Sequence, residues 1–341
     1  MPDDDLLMLG GADVACLLEG RETELVASVR GAYEAHARTQ TSLPHSVFLT
    51  FPDNARNRII ALPAYVGDGF DIAGVKWISS FPANVGRGIE RASAIVVVNS
   101  METGRPLAVM EGSLISAKRT AASAALAAQQ LHGPGGPVSL GLVGCGRINY
   151  EIQRFLLATG PAPEQVLVHD LAADRAERFA ARLNAEAGRQ VARAAGDLAG
   201  LLRGCDLVSF ATTAPTPHVE DLSVCAPGAT ILHVSLRDLS PAAILDSDNV
   251  VDDVDHVCRE RTSIHLAAEQ RGAVDFVRCT LGDVLLGRQP AREGSRRLVF
   301  SPFGLGVLDL GVAALVLRGA EEQGLGTTMP SFWPRSWASA G

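Results

Sequence analysis

Lysine is almost missing from this chain. Of its 30 basic residues only Lys76 and Lys118 are lysines. Where arginine is otherwise the rule, a lysine can be kept for its compact ammonium, with chance as the alternative. Paired cysteines are missing too. Six cysteines occur without a C-x-x-C spacing, which argues against a zinc site or a disulfide framework and fits reduced thiols in a cytoplasmic enzyme. No histidine–carboxylate cluster has metal-ligand spacing, so no metal is expected. No apolar run is long enough to cross a bilayer, and the acidic start "MPDDDLLMLGG" makes a poor signal or transit peptide. The net charge of −8 argues against general nucleic-acid binding.

Apolar material is plentiful: 47% of 341 residues are hydrophobic, enough for two domains. Residues 19–38 have helical apolar spacing. "SVFLTF", "RIIALPAYV", "GVKWISSF" and "ASAIVVVNS" read as strands, "METGRP" as a hairpin turn and "LAVMEG" as its returning strand. "SLISAKRTAASAALAAQQL" is a helix of small residues suited to close packing. "HGPGGP", 132–137, breaks the pattern and is the best linker. Beyond it the rhythm becomes βαβ, with short apolar strands "VSLGLVG", "QVLVHD", "CDLVSFAT", "ATILHVSL" and "NVVDDV", the signature of a doubly wound parallel sheet. The last stretch, "RLVFSPFGLGVLDLGVAALVLRGAEEQG", reads as strand, glycine loop and helix. Pattern alone leaves open which domain holds it.

"GLVGCGRINYEI" carries a dinucleotide fingerprint in which Asn149 replaces the third glycine. Gly144 permits the tight turn and Gly146 lets the backbone approach a pyrophosphate. The third position governs helix–strand packing, so Asn149 bears on packing more than on phosphate. The helix start offers free N–H groups and a positive dipole end, worth about 0.3–2 kcal/mol to an anion. Asp170 closes the next strand. A carboxylate there accepts from ribose hydroxyls and repels a 2′-phosphate, favouring NAD over NADP. The alternative is a glycine-rich turn of another α/β protein.

Three further positions stand out. Asp238, in "SLRDLSP", follows an apolar strand at the carboxyl edge of a sheet. Partial burial would raise its pKa toward that of a general base; a helix N-cap or turn role is the alternative. Lys76 interrupts an apolar run, with Val75 and Trp77 on the opposite face if the run is a strand; it points either into a site or to solvent. Arg119, in "AKRTAASA", has the planar fork that suits a carboxylate, whereas Lys118 beside it reads as surface.

The stretches "AGVKWISSFPAN", "NSMETGRPLAVMEGSLISAKRTAASA", "GLVGCGRINYEI", "HVSLRDLSP" and "SPFGLGVLDL" resemble, in this order, the ornithine cyclodeaminase/μ-crystallin family. "SLPHSVFL", "KWISSFP" and "SPFGLGVLDL" are most similar to its 2,3-diaminopropionate-forming branch, dehydrogenases that oxidatively cleave N-(2-amino-2-carboxyethyl)-L-glutamate. The resemblance implies an α/β fold in which a Rossmann-type doubly wound parallel sheet, 132–291, is inserted into an α+β substrate-binding and dimerisation domain, 1–131 and 292–341. It implies NAD as cofactor, a small amino-acid substrate and a homodimer. It makes Asp238 the catalytic acid–base residue, Lys76 a catalytic lysine and Arg119 the carboxylate ligand. His45 stands where several members carry arginine, which departs from ornithine-type binding; a packing or surface histidine is the alternative. Arg237 and Arg58 are candidates for further carboxylates. Expected cofactor contacts are Gly144, Gly146, Arg147, Ile148, Asp170, Thr212, Ser235, Ser301 and Gly304. Competing functions are ornithine cyclodeaminase, alanine dehydrogenase, ketimine reductase and a cofactor-binding protein without turnover.

Overall fold

The structure, a computed structural model, describes residues 4–133 and 135–334. The chain folds as two compact units, one from residues up to Arg119 together with those from Leu305 onward, the other from Thr120–Gly304.

The first unit opens with β1 (Leu6–Leu9), α1 (Gly11–Leu18) and α2 (Glu22–Ala37). There follow β2 (Thr41–Ser42), β3 (Val47–Phe51), β4 (Asn54–Val66), β5 (Ile72–Ser80), β6 (Ala92–Asn99), β7 (Pro106–Glu111) and α3 (Ser113–Leu131). The second unit runs β8 (Ser139–Val143), α4 (Arg147–Thr159), β9 (Gln165–His169), α5 (Ala173–Ala187), β10 (Ala192–Ala194), α6 (Leu198–Gly204), β11 (Leu207–Phe210) and β12 (Thr230–His233). It ends with α7 (Pro241–Leu245), β13 (Asp248–Val251), α8 (Val254–Val257), α9 (Ser263–Arg271), β14 (Val277–Thr280), α10 (Leu281–Leu285) and β15 (Leu298–Ser301). The chain then returns to the first unit with α11 (Gly306–Gln323) and β16 (Thr327–Met329).

The first unit's sheet has the order β16-β1-β7-β6-β5-β4-β2, with β3 also on β4. Every pairing is antiparallel except β1 with β7. Its inner face is covered by α11, whose "GVLDLGVAALVL" is buried on nearly all sides, as expected of a helix apolar all round. Close approach is enforced by glycine. A Cβ on Gly74 of β5 would lie 2.1 Å from the Val97 carbonyl oxygen and 3.1 Å from Leu310 of α11.

The second unit is one parallel sheet, β10-β9-β8-β11-β12-β15-β13-β14. Its central strands are buried throughout, the mark of a parallel sheet covered on both faces. Strand order reverses between β8 and β11, the switch point where α/β sheets hold ligands at their carboxyl ends.

The doubly wound sheet inserted into an α+β unit is therefore present. The expected limits at 131/132 and 291/292 differ from those of the compact units at 119/120 and 304/305. The later shift has a clear cause: "RLVFS" pairs as β15 with β12 and β13 inside the parallel sheet, and the chain leaves the second unit only after the glycine loop. Gly74→Ala is expected to lower stability by more than about 2 kcal/mol, because backbone on one side and helix on the other leave the new methyl no escape. Denaturant unfolding measures it; an unchanged midpoint would contradict the packing.

Candidate active site

In the first unit, alternation along β5 turns Lys76 inward, with 2% exposure, and Trp77 outward. Glu111 starts α3 by accepting from the backbone N–H groups of Ser113 and Leu114 at 2.7 and 2.9 Å. Ser116 and Arg119, three apart, then share one helix face. From α11 comes Asp309, fully buried. Lys76 Nζ donates to Asp309 Oδ2 at 2.7 Å and to Ser116 Oγ at 3.2 Å, while Arg119 Nε donates to Asp309 Oδ1 at 3.0 Å. One carboxylate thus holds two cations, the arrangement that makes burying such groups tolerable. Burial pulls the Lys76 ammonium down to about 8, against the opposing attraction of Asp309 and with help from Arg119. Sequence reading missed Asp309. Lys118, expected at the surface, is buried at 4% exposure.

Elsewhere in this unit, His45 is exposed between β2 and β3. Arg58 is half-buried on β4, directly opposite Ser80 of β5. Arg91, which the sequence did not single out, donates to Ser80 Oγ at 2.7 Å, and burial lowers its pKa. Two arginines are therefore grouped about Ser80.

In the second unit, the turn after β8 behaves as the fingerprint requires. Gly144 has φ +91°, and a Cβ there would meet the Ala211 carbonyl oxygen at 2.6 Å. Gly146 is the N-cap of α4, with no side-chain cap, no acid in the first turn and open space where a Cβ would stand. Arg147 is exposed at the first helical position, with Ile148 half-buried after it. Asn149 explains its own presence. It is fully buried, donates to the Val143 and Gly144 carbonyls at 2.8 Å each and accepts from Ser209 Oγ at 2.7 Å. It staples turn to sheet where a glycine would only make room. Asp170 accepts from the Cys145 and Ala172 N–H groups at 2.9 and 3.1 Å, and each oxygen keeps a further lone pair for a hydroxyl. An uncapped helix start, an open glycine and a half-buried carboxylate one strand over fit the pyrophosphate and ribose of a dinucleotide.

At the carboxyl ends of β11 and β12 a second network forms around Asp238, itself fully buried. Thr212 Oγ1 donates to its Oδ1 at 2.5 Å, Ser235 Oγ donates to its Oδ2, and His218 Nε2 lies 3.0 Å from Oδ1. The Asp238 N–H donates to His233 Nε2 at 3.1 Å, so His233 is read with its proton on Nδ1, 3.2 Å from Ser301 Oγ. Leu236, between Ser235 and Arg237, has φ +75°, a strained conformation for a branched residue that the surrounding bonds hold.

This network engages several residues that the sequence marked for other roles. Burial alone would lift Asp238, but hydrogen bonds from His218 and Ser235 outweigh it and hold the carboxyl far below its ordinary value. The upward shift expected from burial is therefore reversed, and the carboxyl is held ionised. Thr212 and Ser235, expected on the cofactor, spend their hydroxyls on Asp238, and Ser301 is buried against His233. Arg237, expected on substrate, donates to the backbone carbonyls of Arg261, at 3.2 Å, and Glu260. Gly304, with φ +94°, donates its N–H at 2.7 Å to Asp252, whose other oxygen takes the Phe303 N–H at 2.9 Å. Asp252, also missed, is pushed up to about 6 by burial. Among the described residues no group of three His, Cys, Asp or Glu could hold a metal, and no helix is long and apolar enough to cross a membrane.

The chain is similar to known proteins. The sequence model of the ornithine cyclodeaminase/mu-crystallin family matches residues 8–324. The N-((2S)-2-amino-2-carboxyethyl)-L-glutamate dehydrogenase of Staphylococcus aureus is 30% identical over 332 residues, covering 95% of this chain and 98% of the relative. The alanine dehydrogenase of Archaeoglobus fulgidus is 27% identical over 325 residues, covering 91% and 94%. Among solved structures, Thermococcus litoralis Δ1-pyrroline-2-carboxylate reductase, in complex with NADH and L-proline, aligns with a TM-score of 0.86 at 25% identity, covering 94% of this chain and 99% of that one.

Lys76 sets a pH dependence. Its folded pKa is depressed, so it is charged below about 8 and loses its proton as pH rises through that value. KM for an anionic substrate is expected to climb above about pH 8, up to tenfold per unit if binding needs the ammonium. Steady-state kinetics from pH 7 to 10 measure this, and a flat KM would remove Lys76 from carboxylate binding.

Proposed function

Because the chain belongs to the ornithine cyclodeaminase/mu-crystallin family, we propose that it catalyses NAD-dependent oxidative C–N cleavage of N-(2-amino-2-carboxyethyl)-L-glutamate. The products are L-2,3-diaminopropionate and 2-oxoglutarate, and the pathway served is siderophore or peptide natural-product biosynthesis. The observation that carries the reading is the cation supply of the first unit. Lys76 and Arg119 are held on Asp309, and Arg58 and Arg91 are grouped about Ser80. A substrate with three carboxylates needs more than the one arginine–lysine pair that a simple amino acid requires.

NAD would be held by the Gly144–Gly146 turn, the start of α4 and Asp170. Once bound, it supplies the hydride acceptor for the glutamate-side Cα. The chain's own residues do the rest. Lys76 and Arg119 bind a carboxylate, Arg119 through its terminal nitrogens, since Nε is committed to Asp309. The fork suits a carboxylate bidentately. The Asp238 network handles the proton of the water that hydrolyses the imine. The preference for NAD over NADP rests on Asp170.

We place the protein in the cytoplasm, where its six free cysteines fit a reducing milieu, and assign it as a homodimer. In register across the first sheet, Val47, Ala61, Trp77 and Ile95 form a row, with Val47, Trp77 and Ile95 exposed at 63%, 42% and 43%. Such a continuous apolar face suits a second copy.

Incubation with NAD and synthetic N-(2-amino-2-carboxyethyl)-L-glutamate is expected to give NADH and 2-oxoglutarate in equal amounts. Proline and ammonia from ornithine without net NADH would establish the cyclodeaminase instead, and pyruvate with NADH from alanine the alanine dehydrogenase. Trp77→Lys combined with Ile95→Lys is expected to shift the protein to monomer in light scattering; an unaltered dimer would move the interface off this sheet.

A further inference from the structure

We propose that His218 carries the proton in the hydrolytic half of the reaction, through Nδ1, with Asp238 fixed as its anionic partner. This rests on the oxidative C–N cleavage proposed above and names the group that performs its second step.

The geometry is that of a carboxylate–imidazole pair. Asp238 is fully buried, whereas the His218 side chain is 39% exposed. Their contact uses Nε2, which donates to Asp238 Oδ1 at 3.0 Å. The tautomer follows: with Nε2 protonated, the Nδ1 lone pair is the free basic site. The two loops are also stitched together, the backbone N–H groups of His218 and Val219 both donating to the Asp238 carbonyl at 2.9 Å. Orientation of the ring is therefore set by backbone as well as side chain. Asp238 is placed to orient and stabilise the ring. Both its oxygens are already engaged by Thr212, Ser235 and His218, and it has no exposed surface.

The charged groups about His218 are few. Asp238 faces it from the β12–α7 loop, with His233 behind, 3.5 Å from the other carboxylate oxygen. On its own segment Glu220 and Asp221 are exposed, and Asp221 is turned to Ser223. The Asp238 hydrogen bond raises the imidazole above its ordinary value, outweighing partial burial. A raised pKa makes a stronger base that still exchanges its proton near neutrality.

The step balances without any further reagent. After hydride removal the substrate nitrogen is part of a protonated imine. Water attacks the imine carbon; a C–O bond forms, the C=N electron pair moves to nitrogen, and the water's proton passes to Nδ1. Asp238 keeps its charge and stabilises the imidazolium through Nε2–H. The imidazolium then returns that proton to the carbinolamine nitrogen, the C–N bond breaks with its pair on nitrogen, and the hydroxyl proton passes to the freed Nδ1 as the ketone forms, leaving from there to solvent. No group is oxidised or reduced in this half.

The test compares wild type, His218→Gln and Asp238→Asn. Glutamine keeps a donor toward Asp238 but has no basic nitrogen to take up a proton. Wild-type kcat should fall on the acid side of an inflection lying above the ordinary imidazole value. His218→Gln should lose about 100- to 10,000-fold in kcat, flatten the profile and leave dinucleotide binding intact. Asp238→Asn should keep an inflection, displaced to lower pH. NMR titration of the substrate-free protein should show one imidazole with a raised pKa, absent in His218→Gln and lowered in Asp238→Asn.

A His218→Gln enzyme with near wild-type kcat and its acid limb retained would overturn the proposal. So would an unshifted His218 titration, or a folded, dinucleotide-binding Asp238→Asn with no turnover while His218→Gln is active. Should the wild type oxidise L-alanine and not the adduct, only the substrate reading fails. Imine hydrolysis to pyruvate needs the same proton, and the profiles are then read with alanine.

Discussion

Two buried carboxylates govern this protein, and neither can exist unpaired. A carboxylate removed from water must gather cations or donors or give up its charge. Asp309 gathers Lys76 and Arg119; Asp238 gathers two hydroxyls and a histidine. In each unit the buried anion fixes the orientation of the group that chemistry would use. Removing either acid would strand its partners, so their contribution reaches past a pairwise contact.

The scaffold makes these positions affordable. In the first unit the glycine-lined contact of α11 with β5 brings an acid from a helix otherwise apolar on all sides down to a strand lysine. In the second, parallel strands deliver Thr212, Ser235 and Asp238 from neighbouring carboxyl ends, beside the strand-order reversal. Asn149 secures the dinucleotide turn by hydrogen bonds where the usual glycine secures it by lacking a side chain.

Much of this was legible in the sequence, because the signals were local. The glycine turn and the distal acid follow from spacing, and strand alternation put Lys76 on the face opposite Val75 and Trp77 without saying which face is buried. What escaped depended on tertiary pairing. Asp309 looked like one polar residue in a helix, although an acid inside "GVLDLGVAALVL" was itself a signal of a buried partner. His218 sat in a proline-rich loop with nothing to mark it, because the acid it meets lies 20 residues further on. For Asp238 the direction of the pKa shift was misjudged: burial was weighed, but the donors around it could not be. Arg237 was drawn to the substrate by its charge, and the structure ties it to loop carbonyls. Lys118 was sent to the surface by position on a helical wheel, though that helix is enclosed.

Asp309, on this reading, aims its two cations at an anionic amino-acid substrate. A crystal structure with NADH and 2-oxoglutarate tests it most directly. The expected result places a ligand carboxylate within hydrogen-bond distance of both Lys76 Nζ and the terminal nitrogens of Arg119, with Asp309 still between the two cations. A ligand held elsewhere, with Lys76 and Arg119 contacting only Asp309, would contradict the account.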